Sequence, residues 1–247
     1  MTKPVLMILH RETSNPGRLA PLLTARGHGL DIRRVACGDP LPEETNAYAG
    51  VVIYGGPMSV NDDLDFIHQE IDFVGKLLRN ETPFLGICLG AQMLAKQLGG
   101  QVYPHHRGDV EIGYYPIRAT AEGAAHFPER LHVYQWHTEG FDLPNGAVAL
   151  AEGERFPVQA MRVGPSAYGV QFHPELTWKM MRLWTHHGRA RLALPNARPR
   201  HTHFIDRFRH DLAVRQWLNG FLDRWLSEEE PLPEASPEFL DPLPYRT

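Results

Sequence analysis

The chain contains Pro83-Phe84-Leu85-Gly86-Ile87-Cys88-Leu89-Gly90-Ala91-Gln92, an apolar run that places one cysteine between two glycines. The run up to Ile87 has the pattern of a buried strand, and the residues after Cys88 have the pattern of a helix. A strand that reverses sharply into a helix leaves room only for small residues two positions before and after its corner. Gly86 and Gly90 fill those positions. The stretch therefore predicts a strand, elbow and helix with Cys88 at the corner, as in the G-x-S-x-G motif of serine hydrolases.

Cys88 has two interpretations on this stretch alone. A helix N-terminus favours the thiolate, which is the form of cysteine that attacks carbon. Free cysteine is also among the most buried residue types, so a packed thiol at a strand end is the alternative. The choice between a nucleophile and a packed thiol depends on the partners that the rest of the chain supplies.

Length and composition limit the function classes. With 247 residues, 43% of them hydrophobic, the chain can bury one large core. It has 25 basic and 29 acidic residues, a formal charge of −4, and no long run of Lys or Arg, so neither a nucleic-acid nor a membrane partner is expected. The N-terminus lacks the apolar region of a signal peptide, no apolar stretch approaches the ~20 residues that span a bilayer, and two cysteines make no multi-bridge framework. These features predict a cytoplasmic protein.

Strands and helices alternate through the first hundred residues. Apolar runs predict strands at 5–9, 30–35, 51–54 and 83–87, and helical spacing predicts helices at 19–26, 65–80 and 92–98. This alternation predicts an α/β, flavodoxin-like doubly wound fold with a mostly parallel sheet and helices on both faces. Ligands of such folds bind beyond the carboxyl ends of the strands, where both Gly55-Gly56-Pro57 and Cys88 lie.

The second half of the chain has a different pattern. Shorter strands, expected as antiparallel additions to the sheet, are predicted at 101–103, 112–118, 132–136, 147–150, 158–163 and 168–172. A helix at 178–187 and a Pro- and Arg-rich connector at 189–200 lead to a helix from about 211 to 226. The apolar stripe of that last helix predicts packing on the core, and the Glu- and Pro-rich tail at 227–247 predicts an extended strap or disorder. We expect residues 1–188 to form the main domain and residues 189–247 an extension packed on it.

A base for the thiol is supplied by Gly169-Val170-Gln171-Phe172-His173-Pro174-Glu175. His173 closes an apolar strand, and residues two apart in extended backbone project to the same side, so Glu175 can orient the imidazole. Pro174 stiffens the link between them. With 14 histidines in the chain, an ordinary surface or core histidine is the alternative for each one, but the position of His173 at a strand end favours a base.

Three ordered motifs, around Gly56, Cys88 and His173, resemble the signatures of class I, triad-type, glutamine amidotransferases, especially the amidotransferase domain of GMP synthase and its stand-alone relatives. The resemblance covers about residues 3–186. It implies that Cys88 attacks the γ-amide of L-glutamine to form a thioester, with His173 as base and then acid and Glu175 as its orienter. It implies an oxyanion hole made by the backbone N–H groups of Gly56 and Leu89.

Further residues are implied to contact the glutamine substrate. Gln92 lies one helical turn after Cys88, and its alternative is an exposed polar residue. The resemblance assigns substrate contacts, in chain order, to Gly55, Pro57, Gln92, Glu111, Trp136 and His137, of which His137 has a structural role as its alternative. No cofactor is implied and no metal site is expected. The chain shows no phosphate-binding loop of the G-x-x-x-x-G-K-[ST] type, so a separate synthetase subunit is the expected ammonia acceptor.

Several alternatives stay open at this stage. The same triad cleaves any γ-glutamyl amine or peptide that fits, and a non-catalytic binding module on the same fold is a third interpretation. His201, His203, Asp206 and His210 have ligand types at metal-binding spacing, although nearby arginines favour a solvated basic segment. Cys37 precedes a turn and has no evident base, so no catalytic role is expected. The last helix is open to covering the active site, packing on a second copy as a homodimer, or receiving an acceptor subunit.

Overall fold

A nine-stranded mixed sheet forms the centre of the protein in a computed structural model that describes residues 2–227. The strands are β1 Val5–Ile8, β2 Leu30–Arg33, β3 Gly50–Ile53, β4 Phe84–Ile87, β5 Val102–Pro104, β6 Glu111–Ala119, β7 Arg130–His137, β8 Glu139–Phe141, β9 Ala147–Glu152, β10 Val158–Val163 and β11 Ala167–Val170. The α-helices are α1 Leu19–Ala25, α2 Asp65–Arg79, α3 Leu89–Gln97, α4 Trp178–His187 and α5 Arg200–Trp225. Short 3-10 turns occupy Val35–Cys37 and Arg189–Ala193.

The strand order is β2-β1-β3-β4-β11-β10-β9-β6-β7. The first five strands are parallel, and β10, β9, β6 and β7 extend the sheet with antiparallel pairs. This parallel half has the 2-1-3-4-5 order of flavodoxin-like folds, with β11 in the fifth position. The predicted fold class is therefore confirmed. Not every strand expected as an antiparallel addition is one, because the strand expected at 168–172 is β11, which lies parallel to β4.

Helices cover both faces of the parallel strands. In β1, Val5 and Met7 pack with α1 and α5 on one face, whereas Leu6 and Ile8 pack with α2 and α3 on the other. Alternate side chains of a strand point to opposite faces, so a strand buried on both faces is a continuous apolar run. None of the helices within residues 2–227 is long and apolar enough to cross a bilayer.

Three further predicted elements differ from the structure. The strand expected at 101–103 does not join the main sheet, because β5 pairs instead with β8, a three-residue strand too short to show a period in the sequence. The helix expected from Gln92 begins at Leu89, directly after the elbow. The last helix begins at Arg200 rather than near residue 211, because its first half is held by polar contacts that an apolar stripe does not reveal.

Those polar contacts link α5 to distant parts of the chain. His203 forms hydrogen bonds at both ring nitrogens. Its Nδ1 lies 3.0 Å from the Tyr134 hydroxyl, and its Nε2 donates to the Arg198 carbonyl at 3.0 Å. Asp211 forms ion pairs with Arg18 at 2.6 Å and with Arg207 at 3.0 Å. The first half of α5 is thereby fixed to β7 and to the start of α1.

The second half of α5 packs on the core as its stripe predicts. Its buried members are Val214, Trp217, Leu218, Phe221, Leu222 and Trp225. They join the cluster that contains α1 and one face of the parallel strands. The expected tail at 227–247 lies outside the described residues, apart from Ser227.

We predict that truncation of a stripe residue destabilises the whole protein. Leu222→Ala removes a side chain with no exposed surface and should lower the free energy of unfolding by about 2–5 kcal/mol, the range for buried Leu→Ala changes. Leu212→Ala on the same helix is the matched control, because Leu212 is 63% exposed and should change stability little. Urea unfolding measures both. Equal losses in the two variants would show that α5 does not depend on this packing.

Candidate functional site

The candidate site lies where four parallel strands end. Parallel strands place their carboxyl ends at one edge of the sheet, and His10, Gly55, Cys88 and His173 follow β1, β3, β4 and β11 in turn. The register pairs the last residue of β4, Ile87, with the last residue of β11. The topology thus brings together residues separated by up to 163 positions along the chain.

Cys88 stands at a sharp elbow between β4 and α3. Its backbone has φ 51° and ψ −102°, a conformation that residues other than glycine rarely adopt. Such strain costs of order 1–3 kcal/mol and persists where the surrounding structure enforces it. The Cys88 N–H donates to the Val170 carbonyl at 2.8 Å, and the residue is only 7% exposed.

Two glycines make this elbow sterically accessible. A Cβ on Gly86 would lie 2.5 Å from the backbone of Gly90, and a Cβ on Gly90 would lie 2.2 Å from the Ile53 carbonyl oxygen. These neighbours are backbone atoms, which cannot move aside as a flexible side chain can. Close packing of β4, α3 and β3 therefore explains why the residues two positions before and after Cys88 must be small.

His173 is held between Glu175 and Cys88. Its Nδ1 lies 2.8 Å from Glu175 Oε1, and both side chains are buried. Its backbone N–H donates to the Tyr134 carbonyl at 2.8 Å, and the Trp184 ring meets the imidazole edge to face at a centroid distance of 4.8 Å. A carboxylate on Nδ1 makes that nitrogen the donor and leaves Nε2 for the thiol.

The electrostatics of this group favour the imidazolium. Burial alone lowers the pKa of His173, but the charge of Glu175, the charge of Cys88 and hydrogen bonds to both outweigh it, so the pKa rises to about 10. Two of these causes are the groups expected to act with His173. The predicted partners are thus brought together and interact strongly.

The Gly55–Gly56 segment borders the nucleophile. A Cβ on Gly55 would lie 2.7 Å from His173 Cε1 and 3.4 Å from Cys88 Cβ. A Cβ on Gly56 would lie 2.9 Å from a methyl carbon of Leu89. Pro57 is exposed at the rim. Glycine is required at both positions because the backbone approaches the site more closely than a side chain allows.

Gln92 is buried rather than exposed, and it leads to Gln171, for which the sequence motifs predict no role. The Gln92 amide donates to the Glu139 carbonyl at 3.1 Å and to the Gln171 side-chain oxygen at 3.3 Å. Gln171 in turn donates to the Cys88 sulfur at 3.5 Å. The available signal was its position two residues before His173, which places it on the same side of an extended segment.

Glu111 and His137 meet, whereas Trp136 lies elsewhere. His137 Nε2 is 3.2 Å from Glu111 Oε2, and His137 Nδ1 is 2.9 Å from the same Glu139 carbonyl that Gln92 contacts. Trp136 points to the opposite face of β7 and packs against Trp184, at a centroid distance of 5.8 Å. The structure therefore connects Gln92, Glu111 and His137 in one polar network, and places Trp136 one ring away from His173.

The remaining sequence candidates do not form a site. Within residues 2–227, no group of three or more His, Cys, Asp or Glu side chains is arranged to hold a metal ion. His203 binds Tyr134, and His210 stacks on His132 at a centroid distance of 4.2 Å. Cys37 is an exposed free thiol in the turn after edge strand β2.

We predict that the contribution of His173 to stability falls at alkaline pH. Its folded-state pKa of about 10 lies above the ordinary 6.5, so the folded state binds its proton more tightly than the unfolded state. The stabilisation is complete below pH 6.5 and is lost as the pH rises through about 10. The free energy of unfolding of the wild type, relative to His173→Gln, should decrease over this window in urea titrations. The decrease should be smaller in a Cys88→Ala background, and a difference that grows with pH would contradict the assignment.

We also predict a stability signature of the elbow. Cys88→Gly relieves the positive φ and Cys88→Ala does not, so the glycine variant should be more stable by about 1 kcal/mol in urea unfolding. Ala95→Gly in the interior of α3 is the control, because there glycine should destabilise by about 1 kcal/mol. An alanine variant at position 88 as stable as the glycine variant would show that the elbow carries no strain.

Comparisons with known proteins agree with this geometry. Residues 17–183 match the family model of glutamine amidotransferase class-I. Similar proteins include a glutamine amidotransferase-like protein of Salmonella typhimurium, 29% identical over 76% of this chain and 82% of that protein. Another is one subunit of a glutamine-hydrolysing GMP synthase of Sulfolobus acidocaldarius, 35% identical over 56% of this chain and 73% of that relative.

Solved structures extend the likeness to most of the chain. A glutamine amidotransferase from Thermotoga maritima has a TM-score of 0.83 and 30% identity, covering 92% of this chain and 99% of its own. One from Methylobacillus flagellatus has a TM-score of 0.86 and 26% identity, covering 96% of this chain and 100% of its own. The resemblance seen in the three sequence motifs is confirmed: this chain belongs to the class I glutamine amidotransferase family.

Proposed function

We propose that this protein hydrolyses the γ-amide of L-glutamine through a Cys88–His173–Glu175 triad and passes the ammonia to a separate synthetase subunit. The observation that supports the triad most directly is the buried His173–Glu175 hydrogen bond beside the strained elbow, where Glu175 and Cys88 together raise the pKa of His173. Backbone strain, burial and a charged partner at one point are typical of a nucleophile. A packed thiol is also buried, but it needs neither the backbone strain nor the charged partner.

In the proposed first step His173 takes the proton of the Cys88 thiol, and the sulfur attacks the carbonyl carbon of the side-chain amide. The resulting tetrahedral intermediate carries a negative oxygen, for which the N–H groups of Gly56 and Leu89 are the proposed donors. Leu89 begins α3, so its N–H has no acceptor within the helix. One such donor contributes about 3–4 kcal/mol in acyl-transfer enzymes.

The intermediate then collapses with proton transfer from His173 to the leaving nitrogen. The carbon–nitrogen bond breaks, ammonia leaves, and a glutamyl thioester remains on Cys88. His173 next takes a proton from water, and the resulting hydroxide attacks the thioester carbonyl carbon. The carbon–sulfur bond breaks, glutamate leaves, and His173 returns the proton to the Cys88 sulfur. Glu175 holds the imidazole in one orientation throughout, because its Oε1 stays on Nδ1.

Substrate contacts are proposed for Gly55, Pro57, Gln92, Glu111, Trp136 and His137. Gln92 is supported because its amide lies between Glu139 and Gln171, and Gln171 contacts the sulfur. Glu111 and His137 are supported only as members of the network that ends on Glu139. Trp136 is best interpreted as support for Trp184, which packs on His173.

The acceptor is proposed from the relatives. Several of the GMP synthase relatives are named as single subunits of that enzyme, which indicates an amidotransferase chain that works with another chain. We propose the same arrangement here, with residues 1–188 as the amidotransferase domain and residues 189–247 as an extension whose described part, up to residue 227, packs on it. The buried stripe of α5 supports that packing.

We predict that the purified protein, alone or with candidate synthetase subunits, releases glutamate from glutamine. Cys88→Ala and His173→Ala should abolish release, and Glu175→Gln should lower kcat by about 10²- to 10⁴-fold because the imidazole loses its orienter. Mass spectrometry should find 6-diazo-5-oxo-norleucine on Cys88, and Cys37→Ser is the control that should leave turnover unchanged. Absence of both release and labelling would refute glutamine hydrolysis.

A panel of γ-glutamyl amides tests the alternative leaving groups. The triad acts on the glutamyl carbonyl, so the leaving amine decides between a glutaminase and a hydrolase of γ-glutamyl amines or peptides. We expect glutamine to have the highest kcat/KM. A strong preference for a bulky amine would assign the protein to the second class.

A further inference from the structure

A second buried histidine–glutamate pair lies behind the candidate site. His10 follows β1 and Glu70 lies on α2, 60 residues later, and His10 Nε2 is 2.9 Å from Glu70 Oε2. Neither side chain has any exposed surface. Burying an ionisable pair costs free energy, so we expect a pair kept at this position to have a role.

The other nitrogen of His10 contacts the site directly. Nδ1 lies 3.2 Å from the Gly55 carbonyl oxygen, and a carbonyl can only accept, so Nδ1 carries the proton and donates. Burial lowers the pKa of His10, but the charge of Glu70 and the hydrogen bonds to Glu70 and Gly55 outweigh it and raise the pKa. The imidazole can then donate from both nitrogens at once.

The planar geometry of the Gly55–Gly56 peptide bond links the His10 contact to the direction of the Gly56 N–H. No cis peptide occurs in residues 2–227, so the Gly55 carbonyl and the Gly56 N–H point in opposite directions from one plane. The His10 ring lies against Gly56, whose added Cβ would be 3.2 Å from its Cγ, while Gly55 borders His173 and Cys88. A carbonyl held towards His10 therefore turns the Gly56 N–H away from His10.

We propose that His10, anchored by Glu70, is a positioning residue that fixes the Gly55–Gly56 peptide with the Gly56 N–H directed at the oxyanion. Two successive glycines rotate freely, so this peptide needs an external restraint to stay in one orientation. A donor fixed before the reaction stabilises developing charge without reorganisation, which is the main source of its effect. A polarised carbonyl also makes the N–H of the same peptide a better donor. The inference rests on the proposed acyl transfer at Cys88, but not on the identity of the amide.

Two reactions of the same sulfur separate this role from a general effect on the thiol. With p-nitrophenyl acetate, Cys88 attacks the ester carbonyl through an oxyanion intermediate, the ester carbon–oxygen bond breaks, and p-nitrophenolate leaves. With iodoacetamide, the sulfur forms a bond to carbon as iodide leaves, and no oxyanion appears. The ratio of the acylation rate to the alkylation rate, after subtraction of the Cys88→Ala background, therefore reports the oxyanion hole.

The variants remove or keep the donor without leaving a buried charge unpaired. The His10→Leu/Glu70→Met double variant should lower the ratio by about 10-fold or more, approaching the 10²- to 10³-fold cost of losing an oxyanion donor outright. The His10→Asn/Glu70→Gln double variant keeps an amide N–H where Nδ1 stands, and should recover most of that loss. Val74→Ala is the matched control, because Val74 is buried one turn from Glu70 on α2 and the atoms nearest Gly55 and Gly56 belong to other residues; its ratio should stay that of the wild type.

Each outcome has one meaning. An unchanged ratio in the His10→Leu/Glu70→Met variant, an equal fall of both rates, or an equal loss in Val74→Ala would overturn the positioning role. A wild type that is alkylated but never acylated would overturn it together with the acyl-transfer mechanism. If the variants show the expected ratios and the wild type does not hydrolyse glutamine, the positioning role of His10 stands and glutamine is refuted as the substrate.

Discussion

The close packing of Gly86, Gly90 and the Ile53 carbonyl is the constraint on which the site depends. It lets α3 start immediately against β3 and β4, with no room for a side chain at either glycine. The chain can turn from strand to helix at this distance only by forcing the residue between the glycines to a positive φ. The strain at Cys88 is thus a consequence of how tightly three elements meet. It brings the sulfur to the edge of the sheet where the other strands end.

The parallel order of the strands brings the other residues of the candidate site to the Cys88 sulfur. Because β1, β3, β4 and β11 lie side by side, four separate segments deliver a residue to one edge without any long excursion of the chain. The antiparallel half acts as a backing: the Tyr134 carbonyl of β7 holds the His173 backbone. A network from Gln171 through Gln92 to Glu139 then ties the nucleophile to the β8 ribbon.

What the sequence could predict was what short stretches encode. The elbow and the His173–Glu175 pair each depend on residues within ten positions of one another, where spacing is informative, and the parallel half of the sheet was indicated by apolar runs that alternate with helical spacing. The contact of His10 with Glu70 joins residues 60 positions apart, and no local pattern announces it. Trp136 and His137 are neighbours in sequence, yet the alternation of β7 sends them to different surroundings. The first half of α5 was not predicted for a related reason, because its anchors Arg18 and Tyr134 lie far away in the chain.

The two histidine–glutamate pairs show how one combination of residues performs different tasks. In both, a buried carboxylate binds one ring nitrogen and favours the imidazolium. What differs is the group on the other side. In the proposed mechanism His173 exchanges a proton with the Cys88 thiol, so its charge changes during the reaction. His10 faces the Gly55 carbonyl, which accepts a hydrogen bond and exchanges no proton, so the direction of its N–H is what it contributes. Since the same glycine segment lies between the two rings, the fold places a fixed donor and a mobile one on opposite sides of a single peptide.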